Sequence, residues 1–312
     1  MKICILGAGS LGSAIGGVLT ERGLDVWLMG RRGSEHIGVM RKKGLALVEN
    51  GAERTVKVRV ATDGREVGPV DLLIVLVKSR STAEAIECAG PLIGEQTVAL
   101  SLQNGLGNEE ILIERLGQER VIGGRTYAGG NLTAPGRVVI GVRGKITVIG
   151  ELDGSVTERV AGIAALLNRG GVETRVSDEI RTVIWRKLLV NVATGAICAI
   201  TGLPYGKLTQ VKEAVDCGIA AAAEAVAVAR ADGVALAAAD PREPWNRAVE
   251  GLPFGFKTSM RQDIEKGMKT EIDFINGAVV RLGEKLGVPT PVNRTLVAAI
   301  KGIEFGLEEE SD

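Results

Sequence analysis

The chain has 312 residues, which is enough for two domains with a hydrophobic core each. Charged residues account for 24% of the sequence and hydrophobic residues for 45%, as in soluble globular proteins. The formal net charge is zero, so the sequence as a whole carries no field that would attract nucleic acid or a membrane surface.

The first predicted strand, turn and helix carry a glycine pattern. Residues 3–6 form an apolar run typical of a buried parallel strand, and a helical pattern follows that ends near Gly23. Between them lie Gly7, Gly9 and Gly12, in the spacing G-x-G-x-x-G. We expect the first glycine to allow the tight turn, the second to let the backbone approach a pyrophosphate, and the third to let helix and strand touch. The helix N-terminus would offer unpaired N–H groups to the phosphates, which predicts a dinucleotide site; the alternative is a glycine-rich turn that binds nothing.

The second predicted strand, Asp25–Met29, indicates which dinucleotide is bound. NAD-binding folds place an acid at the end of this strand for the ribose 2′-hydroxyl, and here the strand ends without one. Arg31 and Arg32 follow the strand instead, and guanidinium groups pair well with a 2′-phosphate. The sequence therefore favours NADP over NAD, with a solvated basic turn as the alternative.

Histidine occurs once, at position 36, shortly after the second strand. We expect His36 at the surface near the adenosine end of the cofactor, where it would take no part in the chemistry. Many dehydrogenases use a histidine as proton donor, so this chain is expected to use another residue type unless His36 itself serves.

The four cysteines, at positions 4, 88, 198 and 217, are scattered and form no C-x-x-C pair. They indicate buried free thiols in a reducing compartment rather than metal ligands or disulfides. No signal peptide and no apolar stretch of membrane-spanning length are visible, so the predicted location is the cytoplasm, without a membrane.

Later strands of the first domain place polar residues at one sheet edge. A buried strand over 70–77 ends at Lys78, and a strand over 97–102 ends at a Gln-Asn-Gly loop that contains Asn104. Ligands bind at the carboxyl ends of strands in α/β sheets, so Lys78 and Asn104 are candidate contacts, with a plain Asn-Gly turn as the alternative for the latter. The other elements predicted for this domain are a short helix and a polar β-rich stretch within 33–69, a helix over 81–92, antiparallel edge strands over 137–140 and 145–149, a helix over 156–167 and a strand over 172–176.

After about residue 178 the hydrophobic period changes from strand-like to helical. The predicted helices cover residues 180–200, 207–233, 257–265, 270–287 and 293–307. The fold class is therefore α/β, with an N-terminal Rossmann-type dinucleotide-binding domain over 1–178 and an all-helical C-terminal domain over 179–312.

Two groups of residues in the helical domain could do chemistry. Lys187 and Asn191 are four apart and share one face of an otherwise apolar helix, where burial without partners would be costly. A site that faces a cleft and a lysine that reaches solvent are both compatible with that spacing. Thr270 could cap a helix whose first turn includes Glu271, so a structural role is open for this glutamate.

Five motifs in order, spread over both domains, resemble the ketopantoate reductase (2-dehydropantoate 2-reductase) family over essentially the whole chain. They are G-A-G-S-L-G at 7–12, Q-N-G at 103–105, W-R-K-L-L-V-N at 185–191, S-M-R-Q-D at 259–263 and T-E-I-D-F-I-N-G at 270–277. The resemblance implies an oxidoreductase that reduces a 2-oxo acid to a 2-hydroxy acid with NADPH. Within the family, that reaction converts 2-dehydropantoate to pantoate in pantothenate and coenzyme A biosynthesis.

The resemblance also implies roles for individual residues. Lys187 would be the general acid, and Glu271 would orient both the substrate and the lysine. Asn104, Asn191 and Ser259 would bind the substrate. The implied cofactor-binding residues are Gly7, Gly9, Ser10, Leu11, Gly12, Arg31, Lys78 and Asn104.

The chain departs from the family's pattern at two substrate-binding positions, because Gly195 and Tyr205 stand where the family has asparagines. A site built to hydrogen-bond a group discriminates strongly, so these changes leave the identity of the 2-oxo acid open. A reductase of a different 2-oxo acid and a non-catalytic NADP-binding protein remain alternatives. The predicted partner is a small-molecule substrate rather than nucleic acid, and a homodimer is compatible with the resemblance.

Overall fold

The computed structural model describes residues 1–236, 240, 242–250 and 253–309. The chain divides into two compact units. The sheet unit comprises residues 1–103 and 108–181, and the helical unit comprises residues 104–107 and 182–312. The short segment 104–107 thus belongs with the helices, although the residues on either side of it belong with the sheet.

The sheet unit contains two β-sheets with helices between strands. Its strands are β1 (Lys2–Leu6), β2 (Asp25–Met29), β3 (Leu45–Glu49), β4 (Ala52–Val56), β5 (Arg59–Ala61), β6 (Val70–Val75), β7 (Ile93–Ser101), β8 (Val121–Thr126), β9 (Gly129–Ala134), β10 (Arg137–Gly141), β11 (Thr147–Glu151) and β12 (Thr174–Val176). Its helices are α1 (Ser10–Glu21), α2 (Glu35–Lys43), α3 (Thr82–Cys88), α4 (Asn108–Leu116) and α5 (Glu158–Arg169).

The main sheet has the strand order β12-β11-β8-β7-β6-β1-β2-β5. All of its neighbouring pairs are parallel except β8 and β11. Ile3 and Ile5 of β1 pack into a core on one face, whereas Cys4 and Leu6 pack into a core on the other. Both faces are therefore covered, which explains why this strand is continuously apolar in the sequence.

The second sheet has the order β4-β3-β10-β9 and packs beside α1. Strands β9 and β10 form an antiparallel hairpin, and β10 pairs in parallel with β3. Residues 137–140 and 145–149 were expected to form antiparallel strands at the sheet edge. Both segments are strands with an antiparallel neighbour, β9 and β8 respectively, but their placement in one sheet is wrong. The first segment lies in the second sheet, whereas the second lies in the main sheet between β8 and β12.

The helical unit is built around a long apolar helix. Its helices are α6 (Ile180–Thr201), α7 (Tyr205–Leu208), α8 (Lys212–Ala231), α9 (Arg242–Val249), α10 (Ser259–Glu265), α11 (Asn276–Leu286) and α12 (Pro291–Glu309). By length and composition α6 could cross a membrane, contrary to the expectation that no stretch is long enough. The most apolar part of α6 is 67% buried inside the protein, however, which is typical of a core helix.

Two helices predicted as continuous are interrupted. The predicted helix over 207–233 is divided between the end of α7 and α8, which begins at Lys212. The N–H groups of Tyr205 and Gly206, at the start of α7, donate to the carbonyls of Phe256 and Phe254. The predicted helix over 270–287 is a 3₁₀ turn, Ile272–Phe274, followed by α11.

Candidate active site

The turn between β1 and α1 needs glycine at two of its three glycine positions. Gly7 has a φ of +111°, and a Cβ there would lie 2.5 Å from the backbone nitrogen of Val77. A Cβ on Gly12 would lie 2.1 Å from the carbonyl oxygen of Gly7. A side chain at position 7 would meet the backbone that follows β6, and one at position 12 would push α1 away from β1 and its turn. These close approaches agree with the tight turn expected at Gly7 and the helix–strand contact expected at Gly12.

The middle glycine of the turn, Gly9, has open space around it. Gly9 is exposed, and a Cβ built on it would meet no atom within 4 Å. It is the N-cap of the 12-residue α1 and supplies no side chain to bond the first N–H groups of that helix. The first turn of α1 contains no acidic residue. An open helix N-terminus with free N–H groups and a partial positive charge fits the pyrophosphate of a dinucleotide.

The basic candidates follow strands that are neighbours of β1. Arg31 comes after β2, and Lys78 comes after β6, on the two sides of β1 in the parallel sheet. The structure therefore places Arg31, Lys78 and the glycine-rich turn at the same carboxyl edge of the sheet. Arg31 is exposed and Lys78 is half-buried.

The two arginines after β2 differ in their surroundings. Arg32 lies 3.4 Å from Asp63, which also forms a 2.6 Å ion pair with Arg65. The hydrogen bonds from Arg65 hold the pKa of Asp63 well below its usual range, so the carboxylate stays charged. Arg31 has no ion-pair partner within the described residues, which leaves its guanidinium available for a phosphate.

Ser10 and Leu11, the other two predicted cofactor contacts in the turn, open α1. The hydroxyl oxygen of Ser10 accepts a 3.3 Å hydrogen bond from the N–H of Leu132 in β9. Leu11 is half-buried and packs against the hydrophobic core of the sheet unit. Ser10 thus keeps its hydroxyl proton for donation to a ligand, whereas Leu11 contributes packing and a backbone N–H.

His36 is buried, with 7% of its surface exposed, so the prediction of a surface position is wrong. Its Nδ1 accepts a 2.8 Å hydrogen bond from the N–H of Gly136, and its Nε2 lies 2.9 Å from the hydroxyl of Ser13. Burial lowers the pKa of His36, which favours the neutral ring. No local sequence pattern indicates these contacts, because Gly136 is 100 positions away from His36.

In the helical unit, Lys187 and Asn191 lie one turn apart on α6, and both are half-buried. Trp185, Leu188 and Leu189 around them are buried in the core. A lysine at the margin of such a core is partly shielded from water, which strengthens its interactions with any polar group nearby.

The Asn104 loop is attached to the segment that follows Glu271. The N–H of Leu106 donates a 2.8 Å hydrogen bond to the carbonyl of Phe274. Gly105 has a φ of +88°, and a Cβ there would lie 2.5 Å from the same carbonyl oxygen. Within the helical unit the structure thus brings the loop of Asn104 against the 3₁₀ turn that begins directly after Glu271.

Glu271 itself is buried, with 7% of its surface exposed, and the preceding residue, Thr270, is hydrogen-bonded to α12. The backbone N–H and the hydroxyl of Thr270 both donate to the carboxylate of Glu304 on α12, each at 2.7 Å. The hydroxyl oxygen of Thr270 also accepts from the N–H of Ile272 at 3.1 Å. The expected helix cap is not formed, because Glu271 is the N-cap of a 3₁₀ turn and α11 begins only at Asn276.

Asn276 connects this segment to α6. Its side-chain nitrogen donates to the carbonyl of Val192 at 3.3 Å and to the side-chain oxygen of Asn293 at 3.0 Å. Asn276 belongs to the motif at 270–277, but no sequence pattern indicated a role for it. Its amide links the start of α11 to the turn of α6 next to Asn191, which holds the two candidate regions in a defined geometry.

Ser259 is the first residue of α10 and is exposed. The hydroxyl of the preceding Thr258 caps the helix by accepting from the N–H of Arg261, and it also donates to the carbonyl of Gly195 at 3.4 Å. Ser259 is therefore held at a helix N-terminus beside α6, with a hydroxyl that does not serve as the cap.

Comparisons with known proteins agree on one family. A model described as "Ketopantoate reductase PanE/ApbA" matches residues 3–154, and one described as "Ketopantoate reductase PanE/ApbA C terminal" matches residues 179–304. A 2-dehydropantoate 2-reductase of Halobacterium salinarum is 36% identical over 302 residues, which are 96% of this chain and 98% of the relative. One from Pyrococcus abyssi is 37% identical over 313 residues, covering 97% of this chain and 98% of its own.

This chain belongs to the ketopantoate reductase family.

Solved structures extend the likeness to three dimensions. A PanE/ApbA family ketopantoate reductase from Ralstonia eutropha has a TM-score of 0.90 and 35% identity, covering 99% of this chain and all of the other. A D-mandelate dehydrogenase in complex with NADH and anilino(oxo)acetate has a TM-score of 0.91 and 29% identity, with 99% of each chain covered. The predicted fold class is confirmed, and the chain is an oxidoreductase of a family that uses NADPH.

The two departures from the family's motifs lie together in the helical unit. Tyr205 is buried, its hydroxyl forms a 2.8 Å hydrogen bond with Thr194, and its ring lies 5.3 Å from that of Phe256. Gly195, which follows Thr194 on α6, is buried. Within 4 Å, a Cβ at Gly195 would meet only the terminal methyl of Met260, at 3.7 Å. Where the resemblance implies two amides, this chain has a glycine in contact range of Met260 and a buried tyrosine beside Phe256.

Proposed function

We propose that this protein reduces 2-dehydropantoate to pantoate with NADPH, the reaction named for the archaeal relatives that match it over nearly their whole length. The observation that carries the proposal is the retention of the five motifs on both units, with the glycine-rich turn open for a pyrophosphate. Bound NADPH would supply the hydride to the ketone carbon of the substrate. The residues of this chain would bind both molecules and deliver the proton.

Lys187 is the proton donor in this proposal. As hydride reaches the ketone carbon, negative charge develops on the oxygen, and an ammonium group can donate first a hydrogen bond and then a proton to it. The half-buried position of Lys187 on α6 supports this role, since such a donor is more effective when partly shielded from water. The histidine of other dehydrogenases is not needed, because His36 lies in the sheet unit with both ring nitrogens engaged.

Glu271 holds the lysine protonated and orients the substrate. A carboxylate near an ammonium group favours its charged form, which keeps the acid ready at neutral pH. The burial of Glu271 and the anchoring of Thr270 to α12 support a fixed position for this carboxylate. Asn104, Asn191 and Ser259 supply amide and hydroxyl groups that bind the carboxylate and hydroxyl ends of the substrate.

A second candidate is a 2-oxo acid with a larger apolar or aromatic side chain. The lack of a side chain at Gly195 and the aromatic pair of Tyr205 and Phe256 favour it, because they stand where the resemblance implies two hydrogen-bonding amides. A D-mandelate dehydrogenase has the same fold, and its substrate carries an aromatic ring. The 2-dehydropantoate 2-reductases are more similar in sequence to this chain, at 36–37% identity, than the D-mandelate dehydrogenase is, at 29%. Rates with different substrates distinguish the two candidates.

The substrate is tested with NADPH consumption on a panel of 2-oxo acids. We expect 2-dehydropantoate to have the highest kcat/KM, whereas the second candidate requires phenylglyoxylate or a branched 2-oxo acid to exceed it. No turnover of any 2-oxo acid would contradict both candidates and leave a protein that only binds NADP.

The catalytic role is tested in the same assay by substituting Lys187→Ala. Loss of a general acid lowers kcat by about 10²- to 10⁴-fold, while NADPH binding should stay unchanged. Arg186→Ala is the matched control, because it removes a positive charge from the exposed neighbouring position of the same helix. If Lys187→Ala retains wild-type kcat, the assignment of the proton donor is wrong.

The small-molecule substrate is the partner that the family indicates. We further propose that the protein acts in the cytoplasm, without nucleic acid or membrane partners, and that it forms a homodimer. The zero net charge and the burial of α6 support the first two statements. Light scattering of the purified protein measures the third.

A further inference from the structure

A chain of hydrogen bonds connects the β9–β10 hairpin to the glycine-rich turn. The N–H of Gly136, in the loop of that hairpin, donates to Nδ1 of His36 at 2.8 Å. Nε2 of His36 lies 2.9 Å from the hydroxyl of Ser13 on α1. That hydroxyl lies 3.3 Å from the carbonyl oxygen of Ala8, which sits between the first two glycines of the turn. We call Gly136, His36, Ser13 and Ala8 the hairpin–turn chain.

The direction of each bond in this chain follows from its ends. A backbone N–H can only donate, so Nδ1 of His36 must accept and carries no proton. Nε2 then carries the proton of the neutral ring and donates to Ser13, whose own proton is left to donate to the carbonyl of Ala8. Only a neutral histidine with its proton on Nε2 satisfies all three bonds at once.

A second connection runs parallel to the first. The N–H of Leu132 in β9 donates to the hydroxyl of Ser10, the first residue of α1. Gly130 in the same strand lies so close that a Cβ there would be 2.3 Å from the carbonyl of Ser10. The hairpin is therefore packed directly on the N-terminus of the helix that the pyrophosphate would approach.

Ala8 is held from both sides in this arrangement. Its N–H donates to the carbonyl of Met29 at the end of β2, at 2.9 Å, while its own carbonyl receives the hydroxyl of Ser13. Its peptide groups are thereby fixed in one orientation. The N–H of Gly9 donates to the carbonyl of Gly7 at 2.8 Å, so the turn and the start of α1 have a set shape before any ligand binds. A preformed turn lowers the entropic cost of binding.

We propose that His36 is a positioning residue for the cofactor, which acts through Ser13 to hold the glycine-rich turn in its pyrophosphate-binding shape. The inference rests on the use of NADPH described above. His36 touches no reacting group and takes no part in proton transfer to the substrate. Its effect is on cofactor affinity, because the turn must otherwise be ordered when the dinucleotide binds.

The test is equilibrium binding of NADPH, followed by its fluorescence, to cofactor-free protein. For His36→Ala we expect the Kd to rise by roughly fivefold to thirtyfold, the loss expected from breaking ordinary hydrogen bonds in the chain. The KM for NADPH should rise in parallel, while kcat at saturating NADPH stays within about twofold of the wild type.

Two conservative variants test the two hydrogen bonds of the His36 ring separately. His36→Asn can keep the acceptor for Gly136, and His36→Gln can keep the donor for Ser13. We expect each to bind NADPH more tightly than His36→Ala and less tightly than the wild type. Ser13→Ala should weaken binding as well, and adding His36→Gln to it should cause little further loss, because neighbours that act through one another are not additive.

Thr97→Val controls for loss of stability alone. Thr97 is also buried in the sheet unit. Its hydroxyl donates to the carbonyl of Val70, the first residue of β6, which lies away from the carboxyl ends of the strands. It should lower the melting temperature without changing the Kd for NADPH. Wild-type affinity in His36→Ala, or an equal loss of affinity in Thr97→Val, would overturn the proposal. Failure of the wild type itself to bind NADPH would instead contradict the proposed function.

Discussion

Arg31 and Arg32 are adjacent in sequence but differ in what they can bind. The guanidinium of Arg32 shares Asp63 with Arg65, whereas Arg31 has no acidic partner in the described parts of the chain. At the carboxyl edge of the sheet, near the end of β2, a free guanidinium can pair with a 2′-phosphate. We therefore propose that Arg31 is the main source of a preference for NADPH over NADH.

For Arg31→Ala we expect the Kd for NADPH to rise by roughly tenfold or more, since charge-assisted hydrogen bonds are the stronger kind. The Kd for NADH should hardly change, because NADH lacks the phosphate. Titration of each cofactor by fluorescence gives both values.

Arg32→Ala is the control, because it removes the same charge from the next position. Arg32→Ala should change the Kd for NADPH and the Kd for NADH by no more than about twofold, since the guanidinium of Arg32 already pairs with Asp63. An equal loss of affinity for both cofactors in Arg31→Ala would contradict the assignment.

At the scale of elements, several strands and helices could be read from the sequence and several could not. The strand–turn–helix at the N-terminus, β2, β6, α6 and α10 match their predictions because a hydrophobic period, a glycine or a cap marks each one. Helix α4 was missed because it begins directly after a glycine-rich loop and has only a weak apolar face. Strands β8 and β9 were missed because glycines occupy several of their positions.

The segment around Glu271 shows how one element positions another. Thr270 is held by a carboxylate of α12, 34 residues later, and no local pattern reveals that partner. The predicted continuous helix therefore gives way to a 3₁₀ turn, which turns Glu271 away from a helical first-turn position.

For Thr270→Val we expect a loss of about 1–3 kcal/mol in unfolding free energy, because the buried carboxylate of Glu304 loses a donor. The melting temperature should fall by a few degrees, and kcat should fall as Glu271 loses its support. Thermal unfolding and steady-state kinetics measure the two effects.

Thr295→Val on the exposed face of α12 provides the comparison, since its hydroxyl bonds only to the carbonyl of Pro291 within its own helix. It should change both quantities little. Unchanged stability of Thr270→Val would show that the bond to Glu304 is unimportant.

At the scale of the whole molecule, the described residues form hydrophobic cores of two kinds. Two cores cover the two faces of a mainly parallel sheet, and a third is a helical core around α6. The fully buried ion pair of Arg125 and Glu109, at 2.8 Å, lies in the sheet unit and left no trace in the sequence pattern. Such pairs depend on contacts between distant elements.

Cofactor binding should stabilise the native protein as a whole. At NADPH concentrations of 100 times its Kd, linkage adds about 2.7 kcal/mol of stability, which corresponds to a rise in melting temperature of roughly 5–10 °C for a unit of this size. Scanning fluorimetry at increasing NADPH tests this. NADH at the same concentration should give a smaller rise, and no rise with either cofactor would contradict the dinucleotide site.

The sequence by itself determined the fold class, the glycine-rich turn, the basic end of β2 and the family, because each depends on local spacing that any chain with these residues must follow. The tertiary structure alone decided that Arg32 rather than Arg31 pairs with Asp63, that His36 is buried between Ser13 and Gly136, and that Thr270 is hydrogen-bonded to Glu304. Those facts arise from hydrogen bonds between residues 20 to 100 positions apart. Periodicity describes one element at a time, and it holds no information about which elements meet.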